Sequence, residues 1–186
     1  MKKIIFLDRD GVINVDKDYV YKIEDFEFEK NAVEGLKLLQ DKDYEFIIVT
    51  NQSGIAYGYY AEEDFWKFNN HVAKELEKRG IKVLKTYFSP YHPEKAIVEK
   101  YKKVTTCRKP SVGMLEKAFE DFEIDKENSW MIGDKWADMK CGVDFGINSI
   151  LVKTGKGGKF DTHHKTDVEY IADDLLDAAK FIMKQK

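Results

Sequence analysis

Short apolar runs alternate along the chain with segments of helical periodicity, and no other feature of the sequence constrains the fold as strongly. The apolar runs predict β-strands at residues 2–8, 45–51, 82–88, 129–134 and 148–155. The periodic segments predict helices at residues 31–41, 61–80, 111–122, 135–146 and 173–184. Strands that are apolar on both faces are typical of parallel sheets buried between helices. The alternation therefore predicts an α/β fold, a three-layer, Rossmann-like, doubly wound parallel sheet.

The length of the chain suits one domain. The sequence has 186 residues, and no repeat, low-complexity tract or linker divides it. We expect a single domain over residues 1–186, in which residues 89–110 form a loop inserted between a strand and a helix. Ser111 is the expected N-cap of the third helix, and Gly80 is the expected C-cap of the second.

Polar side chains follow the predicted strands at the points where they end. Asp8 and Asp10 follow the first strand, Thr50 comes near the end of the second, and Asp134 ends the fourth. In open parallel sheets, ligands bind beyond the carboxyl ends of the strands, so we expect these side chains to share one site. The string GKGGK at residues 155–159 lacks the spacing of a Walker phosphate loop and is expected to be a loop near the same site.

Three carboxylates in one small site repel one another unless a cation lies among them. Asp8, Asp10 and Asp134 supply the hard oxygen ligands that Mg²⁺ prefers, with waters and phosphate oxygens completing its coordination. Any one of these aspartates alone is more simply interpreted as a turn or cap residue, but three on strand ends favour a magnesium site. A carboxylate in such a site can also attack a phosphate and form an acyl phosphate.

Several basic and hydroxyl side chains are suited to bind that phosphate. Because the nucleophile and the phosphate are both anionic, cations must lie close to them. The candidates are Lys109 and Arg108, in the string CRKP, and Lys135. Thr50 and the backbone amides of residues 51–53 would cradle the phosphate where a strand turns into a loop.

Charge and composition argue against several classes of function. The formal net charge is -3 and no basic face or tail stands out, which argues against a nucleic-acid or membrane-surface partner. Two cysteines, Cys107 and Cys141, are too few for a disulfide framework and favour a reducing compartment. The first apolar run is too short for a signal peptide or a spanning helix, so we expect a cytoplasmic protein.

Four strings, in the order FLDRDG, VTNQSG, CRKP and GDKWAD, resemble the four motifs of the haloacid dehalogenase (HAD) superfamily, the aspartate-nucleophile phosphatases. The longer strings FLDRDGVIN, TNQSGIAYGYY, SPYHP and CRKPSVGML resemble the D-glycero-D-manno-heptose 1,7-bisphosphate phosphatases, whose near relatives are the histidinol-phosphate phosphatases. The resemblance extends to about Gly155. It implies a HAD-like fold with a minimal cap or none, because no stretch between the motifs is long enough for a separate cap domain.

The resemblance implies roles for four aspartates. Asp8 would be the nucleophile and a metal ligand. Asp10 would provide acid–base catalysis through its side chain and a metal ligand through its backbone carbonyl. Asp134 would be the third protein ligand of Mg²⁺, and Asp138 would orient the ligands from behind.

The resemblance also implies which residues bind the substrate. Thr50 and Lys109 would hold the transferred phosphoryl group. The residues implied to line the substrate site are Asp16, Lys17, Asp18, Tyr19, Asn51, Gln52, Ser53, Arg108 and Lys135.

The sequence departs from this family in the loop at residues 89–107. Many relatives hold a structural zinc there with a Cys-x-His pair and a Cys-x-Cys pair. The corresponding residues in this chain are Ser89, Tyr91, Thr105 and Cys107. One thiolate cannot close a tetrahedral zinc site, so we predict no zinc and expect the rings of Phe88, Tyr91 and Tyr101 to order the loop. Tyr57 stands where close relatives usually have arginine, which alters the rim of the substrate site.

Taken together, the residues and the resemblance favour an enzyme. We expect a Mg²⁺-dependent phosphomonoesterase that removes the 7-phosphate of a heptose 1,7-bisphosphate through an aspartyl-phosphate. The alternative is a phosphatase for histidinol phosphate or another small sugar phosphate. A non-catalytic binding protein is disfavoured because Asp8 and Asp10 are both present, and a nucleic-acid end phosphatase is disfavoured by the net charge. We expect a monomer whose partner is a small-molecule sugar phosphate, with no nucleic acid and no membrane.

Overall fold

The fold is built on one parallel β-sheet, as a computed structural model of residues 1–157 and 168–185 describes it. Its strands are β1 (Lys3–Leu7), β2 (Tyr44–Asn51), β3 (Val83–Ser89), β4 (Trp130–Gly133), β5 (Asn148–Val152) and β6 (Tyr170–Ala172). They lie in the order β3-β2-β1-β4-β5-β6, and every pair is parallel. This is the strand order of a doubly wound Rossmann-like sheet, which confirms the predicted fold class.

Helices cover both faces of the sheet. They are α1 (Ala32–Gln40), α2 (Ser53–Ala56), α3 (Glu62–Glu77), α4 (Gly113–Asp121), α5 (Trp136–Phe145) and α6 (Leu175–Ile182). Single turns of 3₁₀-helix lie at Ile23–Asp25 and Glu99–Tyr101. No helix within the described ranges is long and apolar enough to span a membrane.

The central strands are apolar over most of their length because alternate residues pack into different layers. One core cluster joins β1 and β2 to α1, α3 and α6, and it includes Ile5, Leu7, Phe46, Ile48, Leu36, Phe68 and Ala178. The other joins the opposite face to α4 and α5, and it includes Ile4, Phe6, Ile47, Val49, Leu115, Ala118 and Met139. This packing fixes the sheet between two helical layers, so the carboxyl ends of its strands form one rigid edge.

Several element boundaries differ from the sequence prediction. The expected cap at Ser111 is wrong: α4 begins at Gly113, whose N–H donates to the carbonyl of Thr106 at 2.9 Å, so the loop supplies the acceptor. Helix α3 ends at Glu77, three residues before Gly80. Strand β6 and helix α2 were not predicted, because three and four residues are too few to show a period.

The loop from residue 89 to 110 rests on an aromatic cluster. The rings of Phe65 and Phe88 stack with centroids 4.4 Å apart, and those of Tyr91 and Tyr101 lie 5.9 Å apart. The Tyr101 hydroxyl donates to Glu62 of α3 at 2.6 Å. The three residues expected to order this loop, Phe88, Tyr91 and Tyr101, thus belong to one cluster that ties the loop to α3.

Candidate active site

A cavity of about 460 Å³ lies at the carboxyl edge of the sheet. Its walls contain most of the residues that the sequence singled out. These are Asp8, Asp10, Asp16, Asp18, Tyr19, Asn51, Gln52, Ser53, Arg108, Lys109, Lys135 and Asp138. The walls also contain Tyr57, Tyr60, Pro110, Ala137 and Lys156. Residues distant in sequence meet here because β1, β2 and β4 are neighbours that end at the same edge.

Three buried carboxylates, here called the floor of the site, lie together. Asp8 and Asp138 line the cavity, whereas Asp134 contacts them without lining it. Oxygens of Asp8, Asp134 and Asp138 all lie within 4.8 Å of one another, and each residue is at most 5% exposed. Burial and the charges of Asp8 and Asp138 raise the pKa of Asp134 to about 7, against the opposing effect of Lys135. The floor therefore holds an excess of negative charge that favours binding of either a proton or a cation.

Lys109 is the cation held most tightly by these carboxylates. Its ammonium group donates to the carbonyl of Val49 at 2.6 Å and lies 2.6 Å from Asp138 Oδ1 and 3.2 Å from Asp8 Oδ1. Burial acts to lower the pKa of Lys109, but Asp138 and Asp8 outweigh it and raise this pKa above its usual value. Conversely, burial acts to raise the pKa of Asp8, but Lys109 and Lys135 hold that pKa below its usual value. Asp8 is thus kept as a carboxylate.

The backbone around Lys109 is fixed by strand β2. The Asn51 side chain accepts from the N–H of Lys109 at 3.0 Å and donates to its carbonyl at 2.9 Å. These two hydrogen bonds of Asn51 hold the CRKP segment against the end of β2. They explain how Lys109, a loop residue, reaches the buried floor.

The oxygens of the floor carboxylates are not equally engaged. Asp138 accepts from Lys109 with one oxygen and from the N–H of Lys135 at 3.0 Å with the other, which also caps α5. Asp134 Oδ2 accepts from the N–H of Lys156 at 2.7 Å, whereas its buried Oδ1 has no hydrogen-bond partner among the described residues. Asp134 and Asp8 thus retain oxygens for a divalent cation, and the donor set fits Mg²⁺.

Asp10 lies beside the floor and is held by donors on several sides. Arg9, which is fully buried, donates to both of its oxygens, at 3.1 Å and 3.0 Å from one nitrogen. Asn14 donates to Oδ1 at 2.9 Å and Gln52 to Oδ2 at 3.0 Å. This set of donors fixes the Asp10 side chain at the cavity wall.

Two further cations lie at the cavity wall. The Lys135 ammonium lies 3.3 Å from Asp134, 3.4 Å from Asp16 and 3.9 Å from Asp8. Arg108 donates to the hydroxyl of Ser53 at 2.6 Å. Both side chains reach the cavity, where they are available to an anionic ligand.

Three tyrosines form the rim of the cavity mouth, here called the tyrosine rim: Tyr19, Tyr57 and Tyr59. Their rings meet edge to face, with centroid distances of 5.8 Å for Tyr19–Tyr57, 5.0 Å for Tyr19–Tyr59 and 5.6 Å for Tyr57–Tyr59. Tyr19 is 46% exposed and Tyr59 is 55% exposed. The rim presents an aromatic surface to whatever enters the cavity.

The structure does not bring every predicted residue to the cavity. Lys17 is absent from its walls, because its ammonium pairs with Glu27 at 3.1 Å and donates to the carbonyl of Asp25 at 3.1 Å. Thr50 is 1% exposed and lies behind the wall, where its hydroxyl accepts from Gln52 at 2.8 Å.

Four residues of the wall were not predicted as site residues: Tyr60, Pro110, Ala137 and Lys156. Lys156 pairs with Asp18 at 2.8 Å, and its position in the GKGGK string just after β5 was a usable signal. Residues 158 and 159 of that string lie outside the described residues. Tyr60 donates to Gln52 at 2.6 Å, and nothing in its sequence context distinguishes it from its neighbours.

Three of the four positions that the resemblance links to zinc lie in contact: Ser89, Thr105 and Cys107. Cys107 Sγ lies 3.6 Å from the hydroxyl of Ser89 and 3.2 Å from that of Thr105. Within the part of the chain that the structure describes, the floor of Asp8, Asp134 and Asp138 is the cluster of potential metal ligands. The absence of zinc stays a prediction.

Comparison with known proteins gives consistent matches. A protein family described as HAD-hydrolase-like matches residues 106–178. A D-glycero-alpha-D-manno-heptose-1,7-bisphosphate 7-phosphatase of Photorhabdus laumondii is 40% identical over 181 residues, 97% of this chain and 96% of the relative. A D-glycero-beta-D-manno-heptose-1,7-bisphosphate 7-phosphatase of Pasteurella multocida is 40% identical over 183 residues, 98% and 97% of the two chains. The crystal structure of a D,D-heptose 1,7-bisphosphate phosphatase from B. bronchiseptica, complexed with magnesium and phosphate, aligns with a TM-score of 0.86, 25% identity and 99% coverage of both chains.

Proposed function

Because this chain belongs to the HAD-like hydrolases, in the family of the heptose-1,7-bisphosphate 7-phosphatases, we propose that it is a Mg²⁺-dependent phosphatase that removes the 7-phosphate of D-glycero-D-manno-heptose 1,7-bisphosphate. The observation that carries the proposal is the buried Asp8 carboxylate, which lies beside both a cation and a floor of metal-binding oxygens. An aspartate placed in this way is suited to attack phosphorus.

Three residues would hold the metal. These are the side chains of Asp8 and Asp134 and the backbone carbonyl of Asp10, with Asp138 behind them. When bound, Mg²⁺ neutralises charge on the phosphoryl group and helps to orient it. The buried Oδ1 of Asp134 supports this assignment, because it has no hydrogen bond among the described residues and lies 3.3 Å from the Lys135 ammonium.

In the first step, a carboxylate oxygen of Asp8 attacks phosphorus and forms the aspartyl-phosphate. The bond from phosphorus to the sugar oxygen breaks, and its electron pair leaves with that oxygen, which takes a proton from the carboxyl group of Asp10. Lys109 holds the phosphoryl oxygens and keeps Asp8 in its ionised form. Thr50, which lies behind the wall, supports the phosphate site indirectly, because its hydroxyl accepts from Gln52 at 2.8 Å. General acid catalysis of this type contributes typically about 10²–10⁴-fold.

In the second step, water attacks the aspartyl-phosphate. Asp10, now a carboxylate, takes a proton from the water, and the bond from phosphorus to Asp8 breaks to release phosphate. Both carboxyl groups return to their starting states. The donors around Asp10 hold it in place for the two proton transfers.

The wall of the cavity suits a sugar that carries a second phosphate. Arg108, Lys135 and Lys156 supply cations around a volume of about 460 Å³, and the tyrosine rim offers a surface for the carbohydrate. Relatives named for the α- and β-anomers are both 40% identical to this chain, so the proposal covers both anomers. We further propose a cytoplasmic monomer without zinc.

The test is phosphate release from a panel of esters, with Mg²⁺ or with EDTA. The panel contains both anomers of the heptose 1,7-bisphosphate and histidinol phosphate. We expect Mg²⁺-dependent turnover that is fastest on a heptose bisphosphate and is abolished in Asp8→Asn. Asp144→Asn is the matched control, because Asp144 lies outside the cavity and pairs with Lys140 at 2.7 Å on α5. Faster turnover of histidinol phosphate would overturn the substrate, and no turnover of any ester would overturn the proposed function.

A further inference from the structure

We propose that Tyr60 is a positioning residue that orients the Asp10 carboxyl group through the side-chain amide of Gln52. The inference rests on the proposed function, because it concerns the proton that Asp10 gives to the leaving oxygen. It assigns a role to a tyrosine that contacts none of the floor carboxylates.

The contacts form an unbroken path. The Tyr60 hydroxyl donates to Gln52 Oε1 at 2.6 Å. The Gln52 amide nitrogen donates to Asp10 Oδ2 at 3.0 Å and to the hydroxyl of Thr50 at 2.8 Å. Gln52 is 3% exposed and Tyr60 is 7% exposed, so water does not compete freely for these groups.

Chemistry alone fixes which way the Gln52 amide points. A carboxylate only accepts and a guanidinium only donates. In the observed orientation the amide NH₂ faces Asp10, and Oε1 faces the Tyr60 hydroxyl, with an Arg9 nitrogen at 3.4 Å. A flipped amide would set its oxygen against the Asp10 oxygen and its NH₂ against the guanidinium. In this orientation Tyr60 adds the shortest of the hydrogen bonds, at 2.6 Å, and so helps to hold the amide in place.

The two Asp10 oxygens differ in what holds them. Oδ1 accepts from Asn14 at 2.9 Å and from two nitrogens of Arg9. Oδ2 accepts from one nitrogen of Arg9 and from Gln52, at 3.0 Å each. Because Arg9 bridges both oxygens, Gln52 is the donor that acts on Oδ2 alone. Oδ2 accepts two hydrogen bonds against three for Oδ1, so we assign the transferred proton to this less engaged oxygen.

The protein provides a dedicated place for the Tyr60 ring. The ring stacks on Tyr21 with centroids 4.9 Å apart. A Cβ atom at position 54 would collide with this ring, so Gly54 makes room for it. Burial raises the pKa of Tyr60, which keeps its hydroxyl protonated and able to donate.

The test compares two kinds of ester in Tyr60→Phe. An alkoxide leaving group needs the proton from Asp10, whereas 4-nitrophenolate leaves without it. We expect kcat/KM for the sugar phosphate to fall about tenfold, a part of the roughly 10²–10⁴-fold that a general acid provides. For 4-nitrophenyl phosphate, kcat/KM should change less than about twofold. Equal losses on both esters, or no loss on either, would overturn the inference.

Tyr21→Phe is the matched control. It removes a hydroxyl from the ring that stacks on Tyr60, and no hydrogen bond of that hydroxyl is found among the described residues. We expect both esters to be turned over by this variant as by the wild type. A selective loss on the sugar phosphate in this variant would contradict a specific role for the Tyr60 hydroxyl.

A second measurement does not depend on turnover. In the wild type, NMR of the Gln52 side-chain amide should show two resolved protons that exchange slowly with solvent. In Tyr60→Phe their exchange should accelerate at least about tenfold, because one anchor of the amide is lost. Unchanged exchange would overturn the inference. If the wild type turns over no ester, the proposed function fails and this measurement alone decides whether Tyr60 orients Gln52.

Discussion

Replacing Lys109 with methionine is the change that most directly tests the charge balance of the site. The ammonium group of Lys109, which is 2% exposed, lies 2.6 Å from Asp138 and 3.2 Å from Asp8. Methionine keeps most of the length of the side chain and removes the charge. Asp8 and Asp138 are then left buried next to each other without the cation that holds them together.

The expected loss of stability is large. Removing one partner of a buried ion pair costs about 3–5 kcal/mol, because the remaining charge is left uncompensated. In a chain of this size each kcal/mol lowers Tm by about 2–4 °C, so Lys109→Met should lower Tm by about 6–20 °C without Mg²⁺. Adding Asp138→Asn removes one of the two carboxylates and should restore about 2 kcal/mol or more. The single variant Lys109→Met and the double variant with Asp138→Asn should both be inactive, because Lys109 is assigned to hold the phosphoryl group.

Urea unfolding in EDTA, followed by tryptophan fluorescence, measures these differences. Lys117→Met is the control, because Lys117 is exposed and pairs with Glu120 at 2.7 Å on the surface of α4. It should change stability by less than about 0.5 kcal/mol. The reasoning is wrong if Lys109→Met unfolds within about 1 kcal/mol of the wild type, or if the double variant is no more stable than the single one.

Four other predictions follow from the site. The metal-free pKa of Asp134 is about 7, so Mg²⁺ must displace a proton from this carboxyl group at low pH. The Mg²⁺ affinity, measured by calorimetry, should therefore fall about tenfold from pH 8 to pH 6. A pH-independent affinity would contradict this. Gly11→Ala should abolish Mg²⁺ binding, because Gly11 has φ +85° and a Cβ atom there would meet Asp134. The control is Gly80→Ala: Gly80 also has a positive φ, +79°, but it lies in open space, so this variant should keep activity. Tyr57→Ala should raise KM for the sugar phosphate about 3–10-fold with kcat little changed, since it removes aromatic contacts at the rim only; a fall in kcat instead would assign Tyr57 to the chemistry. Elemental analysis of the purified protein should find no stoichiometric zinc, and one zinc per chain would show that the loop keeps a metal site.

Sequence reasoning worked best where a single local rule decides the structure. Strands β1 and β4 are apolar runs, so their place in the sheet and the positions of Asp8 and Asp134 at its edge followed directly. It failed at Ser111, where the helix start depends on a carbonyl from a distant part of the loop. It also failed at β6, which is three residues long and, among the described residues, pairs with β5 alone.

The residues of the site also fall into those that the sequence could predict and those that it could not. Asp138 and Lys109 were found because they belong to strings that resemble known motifs. Lys17 was also implied by the resemblance, but its ammonium group pairs with Glu27 and does not reach the cavity. Tyr60 reaches the site only because α2 and the loop after it fold back over Gln52. Contacts of that kind depend on tertiary packing, which neither periodicity nor a motif specifies.

The charges of the site explain why its cations and its metal ligands must occur together. The carboxylates of Asp8, Asp134 and Asp138, with the ammonium groups of Lys109 and Lys135, carry a formal charge of −1 when all are ionised. That charge repels a phosphate dianion at short range. A divalent cation bound to the free oxygens of Asp8 and Asp134 reverses the sign to +1, which attracts the dianion. The lysines alone therefore cannot prepare this site for phosphate, and the carboxylates that make the metal necessary are the same groups that bind it.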